Sequence, residues 1–171
     1  MIESKNLFLK SFTTKDITDD YVAWLNNKYI TKYSNQKFLK HSKKTCQEYL
    51  KSFANSSNLF FSINRKIDKK KIGTMTAYIS KFHNTADIGI LIGDKDVWGK
   101  GFGYEAWYIF CEYLFNDKKI RKITAGTVKS NRGMINVIKK YKMSLDGIRK
   151  RQLIFNGKFE DEMKFCKFSK K

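Results

Sequence analysis

The stretch VWGKGFGYEA, residues 97–106, places Gly99, Gly101 and Gly103 at alternate positions, directly before an aromatic segment, 104–115, that predicts a helix. Glycine loses more backbone entropy on folding than any other residue, so these positions are expected to need a positive φ or a missing Cβ atom. Bare backbone N–H groups at a helix N-terminus bind phosphate, which the helix dipole also attracts. The alternative is a tight strand-to-helix turn without a ligand; the spacing favours the anion-binding loop.

The length and composition of the chain predict one domain, residues 1–171, with a hydrophobic core. Its apolar runs are shorter than the roughly 20 residues of a membrane span, and the N-terminal MIESKNLFLKSF is too short and too polar for a signal peptide. The cysteines, Cys46, Cys111 and Cys166, are odd in number and widely spaced, which indicates neither a disulfide framework nor a zinc site. We therefore expect a cytoplasmic protein with no metal and no membrane partner.

The net charge of +19 is compatible with nucleic-acid binding, but the kind of basic residue argues against it. Only five of the 35 basic residues are arginine, whereas base recognition and bidentate phosphate binding favour arginine. The chain also lacks proline and is rich in Lys, Asn, Ile, Phe and Tyr, a bias that an AT-rich genome produces without a functional cause. We expect no nucleic-acid partner; attraction of a small polyphosphate suits the positive field better.

The predicted elements follow the order β-α-α-β-β-β-α-β-α-β-β, which indicates one mixed α/β domain. Hydrophobic periodicity predicts helices over residues 16–26, 45–56, 104–115 and 131–141. Apolar and alternating runs predict strands over residues 7–12, 58–65, 72–80, 86–93 and 122–128. Glycines within 86–93 indicate a β-bulge, and Asn156-Gly157 between two strand-like runs predicts a C-terminal hairpin.

Two common phosphate-binding loops fit the glycines poorly. In a Walker loop, the spacing from Gly93 to Gly99 is one residue too long, and Gly101 stands where Ser or Thr should hold magnesium. GFGYEA, residues 101–106, matches the dinucleotide fingerprint locally. That fold also needs a carboxylate about 20 residues further on, and no carboxylate occurs in that part of the chain before Asp146.

The loop resembles the central motif of the GNAT superfamily of acetyl-CoA-dependent N-acyltransferases, [QR]-x-x-G-x-[GA], with Gly101 and Gly103 at its glycine positions and Trp98 replacing Gln or Arg. WGKGFGYEA is similar to the form found in the branch with the ribosomal-protein N-terminal acetyltransferases. NRGMINVIKKYKM, residues 131–143, resembles a second motif of that branch. Asn131 and Lys140 match it, whereas three residues depart from it: Met134, Lys142 and Met143. The resemblance implies an α+β GNAT fold, with a mostly antiparallel sheet, a splayed parallel strand pair and about four helices.

Acetyl-CoA is the cosubstrate that the resemblance implies. Its pyrophosphate is expected at a loop of seven residues: Trp98, Gly99, Lys100, Gly101, Phe102, Gly103 and Tyr104. The strand at 86–93 should splay from the parallel strand at 122–128 to admit the pantetheine arm. Backbone groups of Ile90 and Ile92 would then pair with that arm, and Asn131 would reach it from the other side.

The residues that move protons are less evident in the sequence. Many GNAT enzymes use a tyrosine of the second motif as general acid, but Ile138 occupies that position here; Tyr141, one turn later, is the candidate that replaces it. For the general base we favour Asp87, which opens the strand expected to carry the acetyl group, over His83 in the preceding loop. Two further residues are expected to be structural: Glu105, by bonding N–H groups of its own first helical turn, and Cys111, in the core.

The segment DDYVAWLNNKYITKYSNQKF, residues 19–38, is similar to one in GNAT members of sugar and surface-polysaccharide pathways. The resemblance implies that Tyr33, Gln36 and Lys37 face the acceptor, which would be the amino group of a nucleotide-linked deoxysugar. A protein N-terminus is the alternative acceptor, and a non-catalytic CoA-binding sensor is the alternative function. The chain could act as a monomer or as a homodimer paired through its C-terminal hairpin.

Overall fold

A computed structural model describes residues 1–155 and 157–170 of the chain. Within these residues it contains eight strands and four α-helices, connected in part by short 3₁₀ turns. The helices are α1 (Asp19–Asn26), α2 (Lys43–Ala54), α3 (Phe102–Asn116) and α4 (Arg132–Lys140). The strands are β1 (Ile2–Glu3), β2 (Leu7–Ser11), β3 (Leu59–Arg65), β4 (Lys71–Ser80), β5 (Thr85–Ile92), β6 (Lys122–Val128), β7 (Ser144–Phe155) and β8 (Lys158–Phe168).

The strands form a single sheet in the order β1-β2-β3-β4-β5-β6-β8-β7. Neighbouring strands are antiparallel, with the exception of the parallel pair β5 and β6. The predicted fold class, a mostly antiparallel mixed sheet with one parallel pair and four helices, is therefore confirmed.

Hydrophobic side chains cover both faces of the sheet, because successive residues of a strand point to opposite faces. On the face that we call the α3–α4 face, Trp107 and Ile138 are fully buried in one cluster that also includes Ile88 of β5. On the opposite α1–α2 face, Phe12 stacks on Phe60 with ring centroids 4.1 Å apart, and Leu91 of β5 packs against this second cluster. β5 thus lies between the two helical layers.

The helices begin where side chains cap them. The Thr18 hydroxyl accepts a hydrogen bond from the Tyr21 N–H, which starts α1 at Asp19. The predicted start at residue 16 is wrong, because residues 14–16 form a separate 3₁₀ turn. The bounds of two other elements agree closely with the predictions: β6, at residues 122–128, and α3, at residues 102–116.

Three further details of the sheet differ from the prediction or lie beyond it. The two-residue strand β1 was not predicted; it pairs with β2. The predicted bulge in β5 is wrong, because the register with β4 runs without a shift from Ser80↔Thr85 to Gly73↔Ile92. In the predicted hairpin turn, Asn156 lies outside the described residues, and Gly157 has a φ of +73°.

The described residues include no helix that is long and apolar enough to cross a membrane. In the same part of the chain, no three His, Cys, Asp or Glu side chains lie close enough together to hold a metal ion. All three cysteines are free and buried. Cys111 is fully enclosed in the core, as predicted, and burial raises the pKa of its thiol.

Candidate active site

A cleft opens where the parallel strands β5 and β6 separate. The two strands pair through only three positions, the last of which is Asp87↔Thr124, whereas β5 stays paired with β4 as far as Ile92. The resulting cavity has a volume of about 540 Å³. Its walls come from β5, β6 and α4 and from a loop over its mouth: Ile88, Gly89, Ile90, Leu91, Ile92, Gly126, Thr127, Asn131, Gly133, Met134, Val137, Tyr29, Ile30, Lys32, Tyr33, Ser34 and Trp98.

Backbone polar groups of β5 face this cleft. The N–H of Gly93 donates to Ile72 of β4, so by alternation the even-numbered residues of β5 direct their N–H and C=O groups away from β4. The C=O of Ile92 accepts a hydrogen bond from the Trp98 indole Nε1 at 3.1 Å. Ile90 has no partner in the β5–β6 register. Within the described residues, its N–H and C=O therefore lack a strand partner on that side, where the resemblance implies pairing with the pantetheine arm, whereas the carbonyl of Ile92 already accepts from Trp98.

The glycine loop lies at the end of the cleft where β5 leaves the sheet. Gly99 and Gly101 have φ values of +74° and +88°, and a Cβ at either position would meet no atom within 4 Å. Two of the three glycines are thus explained by left-handed backbone, and both face open space. Gly103 is helical, and a Cβ there would make only an ordinary contact, 3.7 Å from Ile92.

The start of α3 presents free N–H groups to the space beside these glycines. The first intrahelical hydrogen bond runs from the Glu105 N–H to the Gly101 carbonyl, so the N–H groups of Phe102, Gly103 and Tyr104 have no partner within the helix. The N–H of Lys100 donates to the Val97 carbonyl instead, which removes it from the predicted set of donors. Together with the helix dipole, the remaining donors can bind an anion.

Asn131 lies on the opposite wall of the cleft, where it caps α4. Its Oδ1 accepts from the Met134 N–H at 3.3 Å, and its Nδ2 donates to Thr127 Oγ1 at 3.0 Å. The side chain faces the predicted position of the pantetheine arm, but both ends of its amide already have protein partners.

Residues 27–38, which we call the cover loop, close one side of the cleft. Tyr29 stacks on Trp98 with ring centroids 5.6 Å apart, and Tyr33 stacks on Phe155 at 5.3 Å. The Tyr33 hydroxyl also donates to the Ser130 carbonyl at 2.9 Å. The loop is therefore attached both to the glycine loop and to the C-terminal hairpin.

Of the three predicted acceptor residues, only Tyr33 lines the cleft. Gln36 lies beside α1 and α2, and its backbone carbonyl is 3.2 Å from His41 Nε2. Lys37 lies beside the hairpin, with its Nζ 4.5 Å from the centre of the Phe155 ring. Lys32, which was not predicted, contributes a charge to the cleft wall.

Of the candidate catalytic residues, Asp87 is the one that the structure places next to the cleft. It is exposed, it is the last β5 residue paired with β6, and Ile88 immediately after it lines the cavity. Its Oδ1 accepts a hydrogen bond from Thr124 Oγ1 at 2.6 Å. The hydroxyl holds one carboxylate oxygen in place, and among the described residues no side-chain partner contacts the other. This contact of Thr124 with Asp87 was not predicted.

The structure places His83 and Tyr141 away from the cleft. His83 is an exposed residue of the turn before β5, and its carbonyl accepts from Arg121 Nε at 2.8 Å. The Tyr141 hydroxyl donates to Glu112 Oε1 at 2.8 Å, between α3 and the end of α4. Burial, followed by the neighbouring Cys111 and Glu112, raises the pKa of Tyr141 far above its usual value. Its position does not support the role of general acid.

Glu105 ties the N-terminal segment to the first turn of α3. Its Oε1 accepts from Ser4 Oγ at 2.7 Å and from the Asn6 N–H at 2.8 Å, and its Oε2 accepts from Asn6 Nδ2 at 3.0 Å. The role is structural, as predicted, but its partners lie outside its own helix. Burial acts to raise the pKa of Glu105, yet the hydrogen bonds from Asn6 and Ser4 outweigh it and hold the pKa below the usual value.

Replacing Glu105 with glutamine is expected to lower the free energy of unfolding by about 1–2 kcal/mol near neutral pH, because hydrogen bonds to a charged carboxylate are the stronger ones. A lowered folded-state pKa stabilises the protein above the unfolded pKa of about 4.5, and this stabilisation disappears as the pH falls through the folded value. Urea unfolding followed by tryptophan fluorescence, at neutral pH and near pH 3, measures the effect. Glu48→Gln, at an exposed position of α2, is the matched control. An equal loss at both pH values would contradict this explanation.

Comparison with known proteins assigns the family. Residues 6–144 match the family model described as acetyltransferase (GNAT) domain. The chain therefore belongs to the GNAT family of acetyltransferases, which use acetyl-CoA. The resemblance drawn from the glycine loop is confirmed.

One curated relative, the probable N-acetyltransferase YjcK of Bacillus subtilis (strain 168), is 31% identical over 121 residues, which cover 70% of this chain and 66% of the relative. Two solved structures share the fold. A spermidine N-acetyltransferase from Vibrio cholerae, in complex with CoA and spermine, has a TM-score of 0.84 at 20% identity over 95% of both chains. Ribosomal-protein-S5-alanine acetyltransferase from Vibrio fischeri has a TM-score of 0.80 at 19% identity, over 98% of this chain and 95% of that one.

Proposed function

We propose that this protein transfers the acetyl group of acetyl-CoA to a primary amine, by direct attack in a ternary complex, and that the amine belongs to a nucleotide-linked amino-deoxysugar. The cleft between β5 and β6 is the observation that carries the proposal. The bare backbone of Gly99 and Gly101 lies near one end, and the backbone groups of Ile90 without a strand partner lie along one wall. Asp87 lies where β5 and β6 last pair, next to Ile88 of the cavity wall.

The residues present fit acetyl-CoA, which supplies an activated thioester when bound. N–H groups at the start of α3 would hold the pyrophosphate, because the bare backbone of Gly99 and Gly101 leaves space for it. The N–H and C=O groups of Ile90 would form hydrogen bonds with an amide of the pantetheine arm, in the way that neighbouring strands of a sheet bond to each other. An N–H of β5 directed into the gap would also donate to the thioester carbonyl as negative charge develops on it.

Asp87 would act as the general base. Direct attack requires a neutral amine, so a base must take one proton from the ammonium form, either directly or through a water molecule. The Thr124 hydroxyl fixes one carboxylate oxygen, and the other remains free for this transfer. We assign no general acid, because a thiolate is a far better leaving group than the amine nitrogen once that nitrogen has lost its proton.

The charge around the cleft favours an anionic acceptor over a polyamine. Among the described residues that line the cavity, Lys32 is the only charged one. The ammonium groups of Lys32 and Lys37 lie 5.8 Å and 4.5 Å from the centre of the Phe155 ring; Lys32 lines the cavity, and Lys37 lies beside the hairpin. Two cations near the cleft suit a nucleotide diphosphate, whereas they would repel a polyamine.

The acceptor is tested by measuring thiol release from acetyl-CoA with UDP-glucosamine, a dTDP-linked amino sugar, peptides with free N-termini, and spermidine. We expect turnover with the nucleotide amino sugars and a KM at least about tenfold higher for spermidine, since like charges at an interface cost binding energy. Turnover on peptides alone would replace the proposed acceptor with a protein N-terminus. Tight CoA binding by calorimetry with no acetylated amine would leave only the sensor function. The proposal includes a cytoplasmic location and does not depend on whether the protein is a monomer or a homodimer.

A further inference from the structure

A second carboxylate lies at the edge of the cleft, over the bare backbone of Gly126. A methyl group built at Gly126 would lie 2.7 Å from Glu162 Oε1 and 2.8 Å from Lys164 Nζ. Gly126 itself lines the cavity. Glycine at this position therefore lets the side chains of β8 lie directly against the cleft wall, where any larger residue would displace them.

Glu162 faces the same side of the sheet as Asp87. Thr124 and Gly126 are two residues apart in β6, so both point to one face, and the Thr124 hydroxyl binds Asp87 on that face. Two residues of strand span roughly 7 Å. The two carboxylates thus flank the site where β5 and β6 begin to separate, which is where the thioester is expected.

The Glu162 carboxylate is held in place by cations on the β8 and β7 side. Its Oε1 lies 3.1 Å from Lys164 Nζ, and its Oε2 lies 3.4 Å from an Arg149 guanidinium nitrogen. The Glu162 side chain is 15% exposed, against 61% for Arg149. A carboxylate that is largely withdrawn from water but fixed by two cations is suited to bind a further polar hydrogen without reorganising.

We propose that Glu162 binds the acceptor amine and directs it toward the thioester, while Asp87 takes the proton. The inference rests on the proposed function and deepens it. The cations around Glu162 offset its charge, so the surroundings still favour an anionic group elsewhere on the acceptor.

Replacing Glu162 with glutamine is expected to raise the KM for the acetylated amine about 10- to 100-fold, the equivalent of one charge-assisted hydrogen bond, with a smaller change in kcat. Glu162→Asp should restore part of the affinity. Gly126→Ala should raise the same KM with the carboxylate retained, because the added methyl group displaces Glu162. The Kd for CoA should stay within about twofold in both Glu162 variants, and Glu48→Gln should match the wild type.

Binding of UDP-glucosamine to the protein saturated with CoA, followed by calorimetry, separates failure of this inference from failure of the proposed function. Acetylation of an amine with an unchanged KM in Glu162→Gln would overturn the inference and keep the function. If no amine were acetylated but UDP-glucosamine bound, and bound more weakly to Glu162→Gln, the function would fail and the amine site would stand. If the protein acetylated no amine and did not bind UDP-glucosamine, both the proposed function and the amine site would be overturned.

Discussion

Replacing Asp87 with asparagine is expected to lower kcat about 10²- to 10⁴-fold, the range that a positioned general base contributes. Asparagine keeps the size of the side chain and can still accept the hydrogen bond from Thr124 Oγ1, but its amide cannot take a proton from the attacking amine. Thiol release with the best amine of the panel, at saturating acetyl-CoA, measures the loss. Raising the pH should restore part of the rate, because a larger fraction of the amine is then neutral before it binds.

Two further measurements assign that loss to proton transfer. The Kd for CoA should be within about twofold of the wild-type value, since Asp87 lies at the end of the cleft opposite the glycine loop. Thr124→Val removes the hydroxyl that orients the carboxylate and should lower kcat by a smaller factor, about tenfold. A kcat for Asp87→Asn close to the wild-type value would exclude Asp87 as the base and leave deprotonation of the amine to solvent.

The sequence predicted the parts of this site that depend on local structure. Gly99 and Gly101 need left-handed backbone, and the aromatic run after them has helical periodicity, so the loop and α3 could be read from one short stretch. The prediction that β5 and β6 separate rests on the family resemblance, since the order of elements does not by itself show where two strands separate.

Contacts between distant parts of the chain could not be predicted in this way. Glu162 meets Gly126 only because β8 inserts between β6 and β7, and Glu105 binds Asn6 across 99 residues of sequence. The prediction of Tyr141 as general acid rests only on its position along α4. Tyr141 lies three residues after Ile138 and so shares its helix face, which packs into the core rather than facing the cleft.

Replacing Gly101 with alanine is expected to raise the Kd for CoA about 10- to 100-fold. At a φ of +88° an alanine costs about 1–2 kcal/mol, so the loop either keeps this strain or relaxes to a negative φ and turns its N–H groups away from the phosphates. Gly157→Ala is a closely matched control. Gly157 also has a positive φ, +73°, and open space around its missing Cβ, but it lies in the hairpin far from the loop.

Both glycine variants should therefore lose a similar amount of unfolding free energy in urea, about 1–2 kcal/mol, because the backbone strain is the same in kind. Only Gly101→Ala should weaken the binding of CoA, as measured by calorimetry. Equal CoA affinity in the two variants would mean that the positive φ of Gly101 serves the turn into α3 alone. The phosphate would then have to be held by N–H groups further along α3, beginning with Gly103, where alanine adds only an ordinary contact with Ile92 in this structure. Loss of CoA affinity in Gly103→Ala would then identify the bare Cα of Gly103 as the surface on which the phosphate lies.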